Sequence, residues 1–461
     1  MKTFTTKNHL NLAFKAMFVF ASCFMLTCCT APLSQTPEED TTMLWPAADN
    51  TGFWGFINEK GEMVIPAKYD RTYGFCGGKA LVVIDVDGEP ARSNIGYQAS
   101  IFGWHYAFID TKGNILYSFP EECAPIDHYF YYGCCRVECK RIQGMLDSQF
   151  NYVIPLNDRN YGLALGVMTK DGLASSTIGY YNKKGEIAIS RYINGVDGEL
   201  YFHLYDFCDG VAVVNKWWYD DSGRSYSRNG AINTKGELVI DTIYRELKSV
   251  GNDRLLYKLE DDDSGCWDCW GLMAPRGNII TKQSIREYGD SFYGDGGLMP
   301  VRGDGGVGYI DKNGDLQIPY QYTDATPFCE GKAWVLVPNG GGYKLINLQG
   351  EVLLSLDPWW EIPVTLFPAN GAHNGLCLIR NDKEQSSYRY TYKYINLQGE
   401  VVYSWVVDES SRHSSAPKRI EQAEQPEEDR LLQMFEGTKY YPLASQCVQR
   451  RKAHLATPVE R

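Results

Sequence analysis

A thirteen-residue segment from Trp54 to Pro66 recurs along this chain, and this recurrence constrains the fold more than any other feature. The segment reads WGFINEKGEMVIP, and clear copies begin at Ile178 and Val307. Weaker copies lie at 106–115, 144–155, 230–240, 270–280, 343–353 and 393–402. A shortest spacing of about 36 residues is typical of a repeat architecture, in which each unit buries its apolar face against its neighbours.

Each copy predicts a strand, a tight turn and a returning strand. Residues GFIN have the alternation of a strand with one buried face. The turn ends in Gly at positions 61, 113, 185, 236, 277, 314, 350 and 399, and Phe150 takes this place in the third copy. A second signature, FCGGKALVV from Phe75, returns in changed form from Phe207 and Phe328 and predicts a further strand. We therefore expect an all-β array of about nine antiparallel meanders, with about three strands in each.

The spacing of the units leaves two arrangements open. Steps between successive turns are unequal because of insertions such as residues 85–102 and 216–228. Nine unequal units favour an open or superhelical array, since propellers typically have four to eight blades of four strands. Closure into a propeller-like ring is the alternative.

The two signatures together resemble the WG repeats, also written KWG repeats, of bacterial proteins. The resemblance covers roughly residues 51–407, although Trp survives in the WG position only at Trp54 and Trp270. It implies repeat β structure and a binding or scaffolding role, and it carries no shared catalytic residues.

The N-terminus has the pattern of an export signal. Residues 1–28 contain lysines and no acidic residue, and the apolar run Ala16–Leu26 is too short to span a bilayer. The run ends in Leu-Thr-Cys-Cys, which resembles the lipobox of bacterial lipoproteins and implies lipidation, as by palmitate, at Cys29. Cys28 is a second candidate, and an ordinary secretory signal is the remaining alternative. We expect a protein anchored to the bacterial cell envelope, at the outer membrane, facing the periplasm or the surface.

Composition divides the chain into four parts. We expect a signal peptide at 1–28, a flexible tether at 29–50, the repeat domain at 51–407 and a polar tail at 408–461. The tether is rich in Pro, Thr and acidic residues, as linkers often are. The net charge of −12 disfavours a nucleic-acid partner, because phosphate contacts need a basic surface.

The Cys266–Cys269 pair is the cysteine motif most open to a chemical role. A thioredoxin-like role would need a βαβ context, and a zinc site would need a second pair, for which 134, 135 and 139 form the available cluster. We expect a disulfide within a loop, with free thiols or metal and redox chemistry as the alternatives.

Motifs of enzymes are absent from the sequence. It contains no GxSxG, HExxH or Walker-type motif, and we expect no catalytic residue, metal or cofactor. Trp217-Trp218 and Trp359-Trp360 are expected in irregular segments outside the repeat strands, and these doubled aromatics are the candidate contacts to glycan rings or to a protein. Filling of the core under long loops is the competing interpretation. The sequence thus predicts an anchored binding or scaffold protein, with a surface hydrolase, a thiol redox protein or an envelope spacer as alternatives.

Overall fold

The computed structural model is built from β-strands. It describes residues 43–49, 52–85, 104–120, 123–156, 164–191, 201–219, 223–259, 269–287, 292–294, 296–363, 372–381 and 389–408. Every regular element within these ranges is a strand, which confirms the all-β prediction. No helix capable of crossing a membrane occurs in this part of the chain.

The strands form nine consecutive units, numbered along the chain. Units 1 to 3 contain β1 (Trp45–Ala48), β2 (Trp54–Ile57), β3 (Met63–Tyr69); β4 (Arg71–Thr72), β5 (Ala80–Asp85), β6 (Trp104–Ile109), β7 (Ile115–Ser118); and β8 (Cys123–Pro125), β9 (Cys134–Cys139), β10 (Ile142–Asp147), β11 (Tyr152–Ile154). Units 4 to 6 contain β12 (Leu173–Ser176), β13 (Gly179–Asn182), β14 (Ile187–Ser190); β15 (Tyr201–Leu204), β16 (Val211–Tyr219), β17 (Ser225–Asn233), β18 (Leu238–Tyr244); and β19 (Glu246–Gly251), β20 (Arg254–Lys258), β21 (Cys269–Met273), β22 (Ile279–Glu287). Units 7 to 9 contain β23 (Met299–Gly303), β24 (Gly306–Ile310), β25 (Leu316–Tyr322); β26 (Asp324–Ala325), β27 (Lys332–Leu336), β28 (Tyr343–Asn347), β29 (Val352–Ser355); and β30 (Trp360–Glu361), β31 (Ala372–His373), β32 (Leu376–Asn381), β33 (Arg389–Asn396), β34 (Val401–Asp408).

A complete unit has four strands in the order a, b, c and d, as in the sheet β4-β5-β6-β7. Strands b, c and d are the three that the repeat predicts, and strand a is a short addition. Units 6 and 7 share one seven-stranded sheet because β22 also pairs with β23. We call the links between strands the b–c connection and the c–d turn.

The c–d turns have the same local hydrogen bonds in almost every unit. In unit 1 the Oδ1 atom of Asn58 accepts from the backbone N–H groups of Lys60 and Glu62, each at 3.0 Å. The same arrangement recurs at Asp110, Asp147, Asn182, Asn233, Asp311, Asn347 and Asn396. Since these bonds lie within five residues of chain, each turn is specified by its own sequence.

The first and fifth residues of most of these turns are chemically complementary. Where the first residue is Asn, the fifth is Glu, and the amide donates to the carboxylate, as from Asn58 Nδ2 to Glu62 Oε2 at 2.7 Å. Where units 2 and 3 begin with Asp, the fifth residue is Asn, and Asn114 Nδ2 donates to Asp110 Oδ2 at 2.9 Å. These two combinations avoid a pair of adjacent carboxylates. Unit 7 is the exception among the turns with this arrangement, since it has Asp311 and Asp315 at the two positions.

The turn glycines serve both the turn and the packing between units. The eight predicted glycines have φ angles from 76° to 84°, which confirms the expected left-handed backbone. A Cβ atom added to Gly185 would overlap the carbonyl oxygen of Val153 in the preceding unit. In unit 3, Phe150 adopts a φ of 65°, and its ring stacks on that of Tyr117 in unit 2 with centroids 4.9 Å apart.

Hydrophobic clusters fill the interfaces between units. Phe56 and Ile65 of unit 1 pack with Val82 of unit 2, and seven further clusters in the described residues join the later consecutive pairs in the same way. The burial of each sheet against its neighbours is the source of the common core.

A ninth cluster joins unit 9 to unit 1, and we call this interface the closing seam. Trp405 is 2% exposed, and its ring contacts that of Trp54 edge to face with centroids 5.9 Å apart. The hydroxyl of Tyr394 donates to the carbonyl oxygen of Pro46 at 2.9 Å. Of the two arrangements that the sequence left open, the structure therefore has the propeller-like ring. The unequal insertions lie in connections or, in unit 5, in the outer halves of β16 and β17, so they leave the packing of the sheets regular.

The repeat domain begins earlier than the sequence analysis placed it. Residues 45–48, which were assigned to the tether, form β1, and Trp45 is buried in the closing seam. The last described strand ends at Asp408. The signal peptide, Cys29 and residues 409–461 lie outside the described residues.

Candidate functional site

The antiparallel meander gives the ring two unlike ends. The c–d turns lie at one end, here called the turn end, and the b–c connections lie at the other, the insertion end. Units 3, 4 and 7 have b–c connections of two residues, between the ranges of their strands. Units 2, 6 and 9 have longer connections, and unit 5 instead lengthens the two strands themselves.

Unit 5 has the longest b–c hairpin. Strands β16 and β17 have nine residues each and pair without interruption from Val211↔Asn233 to Tyr219↔Ser225. The corresponding strands of unit 4 have four residues each. The outer half of the unit 5 hairpin therefore extends beyond its neighbour, and we call residues 216–219 and 225–228 the aromatic hairpin.

The aromatic hairpin contains the first pair of predicted contact residues. Trp217 and Trp218 lie in strand β16, whereas the sequence analysis placed them in an irregular segment, and each is 38% exposed. The ring of Trp218 stacks on that of Tyr226, its cross-strand partner, at 6.0 Å and an interplanar angle of 21°. Lys216 Nζ lies 5.9 Å from the Trp218 ring centroid. This exposure favours a contact surface over filling of the core.

The second pair lies elsewhere on the ring. Trp359 precedes β30 in unit 9 and is 43% exposed. Trp360 lies in β30, is partly buried against the cluster between units 8 and 9, and has Lys393 Nζ at 4.7 Å from its ring centroid. Units 5 and 9 are not neighbours, so the structure does not bring the four tryptophans into one site.

Sequence reasoning missed the charged residues of the aromatic hairpin. Lys216 and Arg228 are directly opposite each other across the two strands. The signal that could have found them is the alternation of VAVVNKWWY with SYSRNGAIN, because side chains two apart on a strand share a face.

The structure has a disulfide that the sequence analysis did not predict. Cys269 is disulfide-bonded, and its partner lies outside the described residues, so pairing with Cys266 stays a prediction. Sequence reasoning missed the Cys123–Cys139 disulfide, which joins directly opposite residues of β8 and β9 with Cα atoms 4.2 Å apart.

Three of the buried free thiols have raised pKa values. Burial raises the pKa of Cys134 to about 11 and that of Cys377 to about 12. Burial also raises the pKa of Cys135 well above its usual value. A raised pKa suppresses the reactive thiolate. In the described ranges no group of three or more His, Cys, Asp or Glu side chains is placed to hold a metal ion.

Comparison with known families identifies two of the repeats. Residues 54–85 and 308–340 match the family model described as the WG containing repeat. These segments run from strand c of units 1 and 7 to strand b of units 2 and 8. No curated protein matches this sequence.

Solved structures give weak likenesses over most of the chain. A crystal structure of the eukaryotic initiation factor has 11% identity and a TM-score of 0.48, with 80% of this chain and 96% of that chain covered. Apo AztD from Citrobacter koseri has 13% identity and a TM-score of 0.33, with 79% and 97% covered. BamB from Moraxella catarrhalis has 12% identity and a TM-score of 0.27, with 78% and 95% covered. At these values the likenesses say nothing about function.

Proposed function

We propose that this chain is a non-catalytic binding protein of the bacterial cell envelope, which offers the insertion end of its ring to a glycan or a protein. The observation that carries the proposal is the aromatic hairpin, where Trp217 and Trp218 are each 38% exposed. Exposed aromatic side chains on a rigid support mark contact surfaces, because their burial by a partner removes a large apolar area from water. The ring supplies that support.

The proposed anchor is a lipid on Cys29, with export directed by residues 1–28. Two acyl chains give stable anchoring, since each buried CH₂ contributes about 0.8 kcal/mol. The proposed location is the outer membrane, on its periplasmic or surface side.

The path of the chain supports an orientation on the membrane. Strand β1 enters the ring at the turn end, because Trp45 pairs with Ile57 directly before the first c–d turn. The sequence analysis predicts a flexible tether between Cys29 and this strand, and a flexible chain of about 15 residues would have a root-mean-square length of about 20 Å. In this proposal the turn end lies near the bilayer and the aromatic hairpin faces away from it.

The test captures envelope components on the full-length, lipidated protein in detergent. Polysaccharide and protein fractions of the producing bacterium are passed over the wild type and over the Trp217→Ala/Trp218→Ala variant. We expect the double variant to capture at least about tenfold less material than the wild type. Ile243→Ala, which alters another exposed apolar residue of unit 5, is the control and should capture normally.

A second arm of this experiment tests the anchor. Cys29→Ser should leave the membrane fraction while it captures the same material. Equal capture by the wild type and the double tryptophan variant would contradict the binding proposal. Equal membrane association of Cys29→Ser would contradict the anchor at Cys29.

A further inference from the structure

A pair of buried asparagines lies at the base of the aromatic hairpin. Asn215 of β16 and Asn229 of β17 are directly opposite each other, and each is 8% exposed. The Nδ2 atom of Asn215 donates to Oδ1 of Asn229 at 3.0 Å. The Nδ2 atom of Asn229 donates in turn to the backbone carbonyl oxygen of Arg245 at 2.8 Å. We call these two hydrogen bonds the amide relay.

The repeat itself predicts an apolar side chain at the position of Asn229. In units 1, 6 and 7 the residue of strand c that pairs with the end of strand d in the same way is Trp54, Trp270 or Val307. Each of them directly precedes a glycine, as Asn229 does. Asparagine is depleted in strands, and a buried amide costs free energy unless it is hydrogen-bonded. The asparagine pair therefore breaks a local rule, and such exceptions are expected at functional sites.

The amide relay lies where the hairpin leaves its sheet. Among the described residues, β15 pairs with β16 only as far as Lys216, and β18 pairs with β17 only as far as Asn229. The aromatic hairpin beyond these residues is a two-stranded ribbon, and such a ribbon is marginally stable by itself. Its orientation therefore depends on the contacts at its base.

The amide relay connects this base to unit 6. Arg245, whose carbonyl oxygen accepts the second bond, donates its own backbone N–H to the carbonyl oxygen of Lys258 in β20 at 2.9 Å. Asn229 is thus joined to strand b of the next unit through two successive hydrogen bonds. A buried hydrogen bond fixes both a distance and a direction, which apolar contacts do not.

Trp217 lies above the amide relay on the same face of the hairpin. Val213 and Ala231, which are directly opposite each other, pack against unit 6. Side chains two apart on a strand share a face, so one column runs from Val213 through Asn215 to Trp217. The amide relay therefore separates a buried apolar pair from a tryptophan that is 38% exposed.

We propose that Asn215 and Asn229 are positioning residues of the binding surface. They hold the aromatic hairpin in one orientation relative to unit 6, so that Trp217 and Trp218 are already ordered when a partner arrives. This inference rests on the proposed function and adds the residues that organise its site. A surface that is ordered before binding loses less conformational entropy on binding, and its affinity is higher for that reason.

The experiment compares the full-length wild type in detergent with Asn215→Val/Asn229→Val. Valine favours strands and restores the apolar character that this position has in other units. Hydrogen–deuterium exchange of residues 216–219 and 225–228 should become about tenfold faster or more, whereas exchange in β13 and β24 should not change. Capture of the polysaccharide and protein fractions of the envelope should fall about tenfold or more for equal amounts of folded protein.

Asn215→Thr and Asn215→Val are the matched single variants. The first has a hydroxyl where the second has a methyl group, and this hydroxyl can donate to Oδ1 of Asn229 in place of the amide. We expect Asn215→Thr to capture as the wild type does and Asn215→Val to capture several-fold less. These two variants decide the question if the double variant does not fold.

The inference is overturned if the folded double variant captures as much as the wild type, or if exchange in the aromatic hairpin does not change. Equal capture by Asn215→Thr and Asn215→Val would also overturn it. A role in stability alone would lower the midpoint of urea unfolding and leave capture by the folded protein intact, which again contradicts the inference.

The failure of this inference is distinguishable from the failure of the proposed function. If capture depends on Trp217 and Trp218 but not on the amide relay, the proposed function stands and the inference fails. If capture does not depend on the two tryptophans, the proposed function itself fails.

Discussion

The two ends of the ring are built on opposite principles. At the turn end, nearly every unit repeats one short turn with the same hydrogen bonds, and its glycine packs against the preceding unit. At the insertion end, the b–c connections range from two-residue turns to the long aromatic hairpin. Uniform turns maintain the contacts that hold the ring, whereas variable connections are free to acquire contacts with other molecules.

The strongest way to break this comparison is to alter one turn glycine. Gly185→Ala should lower the free energy of unfolding by about 3 kcal/mol or more, because the new Cβ overlaps Val153 and the backbone has a φ of 76°. Urea unfolding followed by circular dichroism measures the loss.

Gly210→Ala is the matched control for Gly185→Ala. Gly210 has a φ of 81°, yet an added Cβ would meet nothing within 4 Å. Gly210→Ala should lower the free energy of unfolding by about 1–2 kcal/mol, which is the cost of the left-handed backbone alone. Equal losses in the two variants would mean that the turn end does not depend on contact between units.

The complementary turn residues allow a smaller perturbation. Asn182→Asp places a second carboxylate beside Glu186 and should cost about 1 kcal/mol at pH 7. Asn182→Asp with Glu186→Asn recreates the combination of units 2 and 3 and should restore most of the loss. Chemical denaturation of the wild type, Asn182→Asp, Glu186→Asn and the double variant measures the coupling, and additive effects would contradict complementarity.

The free energy of unfolding of Asn182→Asp should depend on pH in a defined direction. Repulsion between the two carboxylates raises their pKa in the folded protein above that in the unfolded chain, so the folded protein binds more protons. The difference in free energy of unfolding between the wild type and the variant should therefore become smaller as the pH falls from 7 to about 4. A deficit that stays constant with pH would show that charge repulsion is not its cause.

Much of the fold follows from local patterns in the sequence. The turn glycines at 61 and 314, for example, predict positions of left-handed backbone that depend on neighbouring residues alone. Ring closure was not predictable in this way, because it depends on contacts between residues 45–57 and 376–407, at the two ends of the repeat domain. The aromatic residues around Trp405 could have indicated ring closure, since in an open array the two end units would expose them to solvent.

The candidate site was predicted in part. Trp217 and Trp218 were identified as doubled aromatics, but the insertion that contains them was read as irregular chain. The pairing of β16 with β17 shows that the insertion is a longer hairpin. Because side chains alternate between the two faces of a strand, Lys216 lies on the same face as Trp218. Cys123 and Cys139 could not be paired from sequence, because they are not at equivalent positions of the repeat.

The smallest effect on stability should come from the aromatic hairpin itself. Trp218→Ala should change the free energy of unfolding by less than about 1 kcal/mol, because the ring contacts described for it, with Tyr226 and Lys216, lie within the same hairpin. Trp217→Ala should behave alike, since neither side chain belongs to the clusters that join unit 5 to units 4 and 6. Urea unfolding of both variants tests this, with binding measured on the same samples. A loss of several kcal/mol would show that the hairpin is part of the ring's core, and the distinction between a structural end and a binding end would then fail.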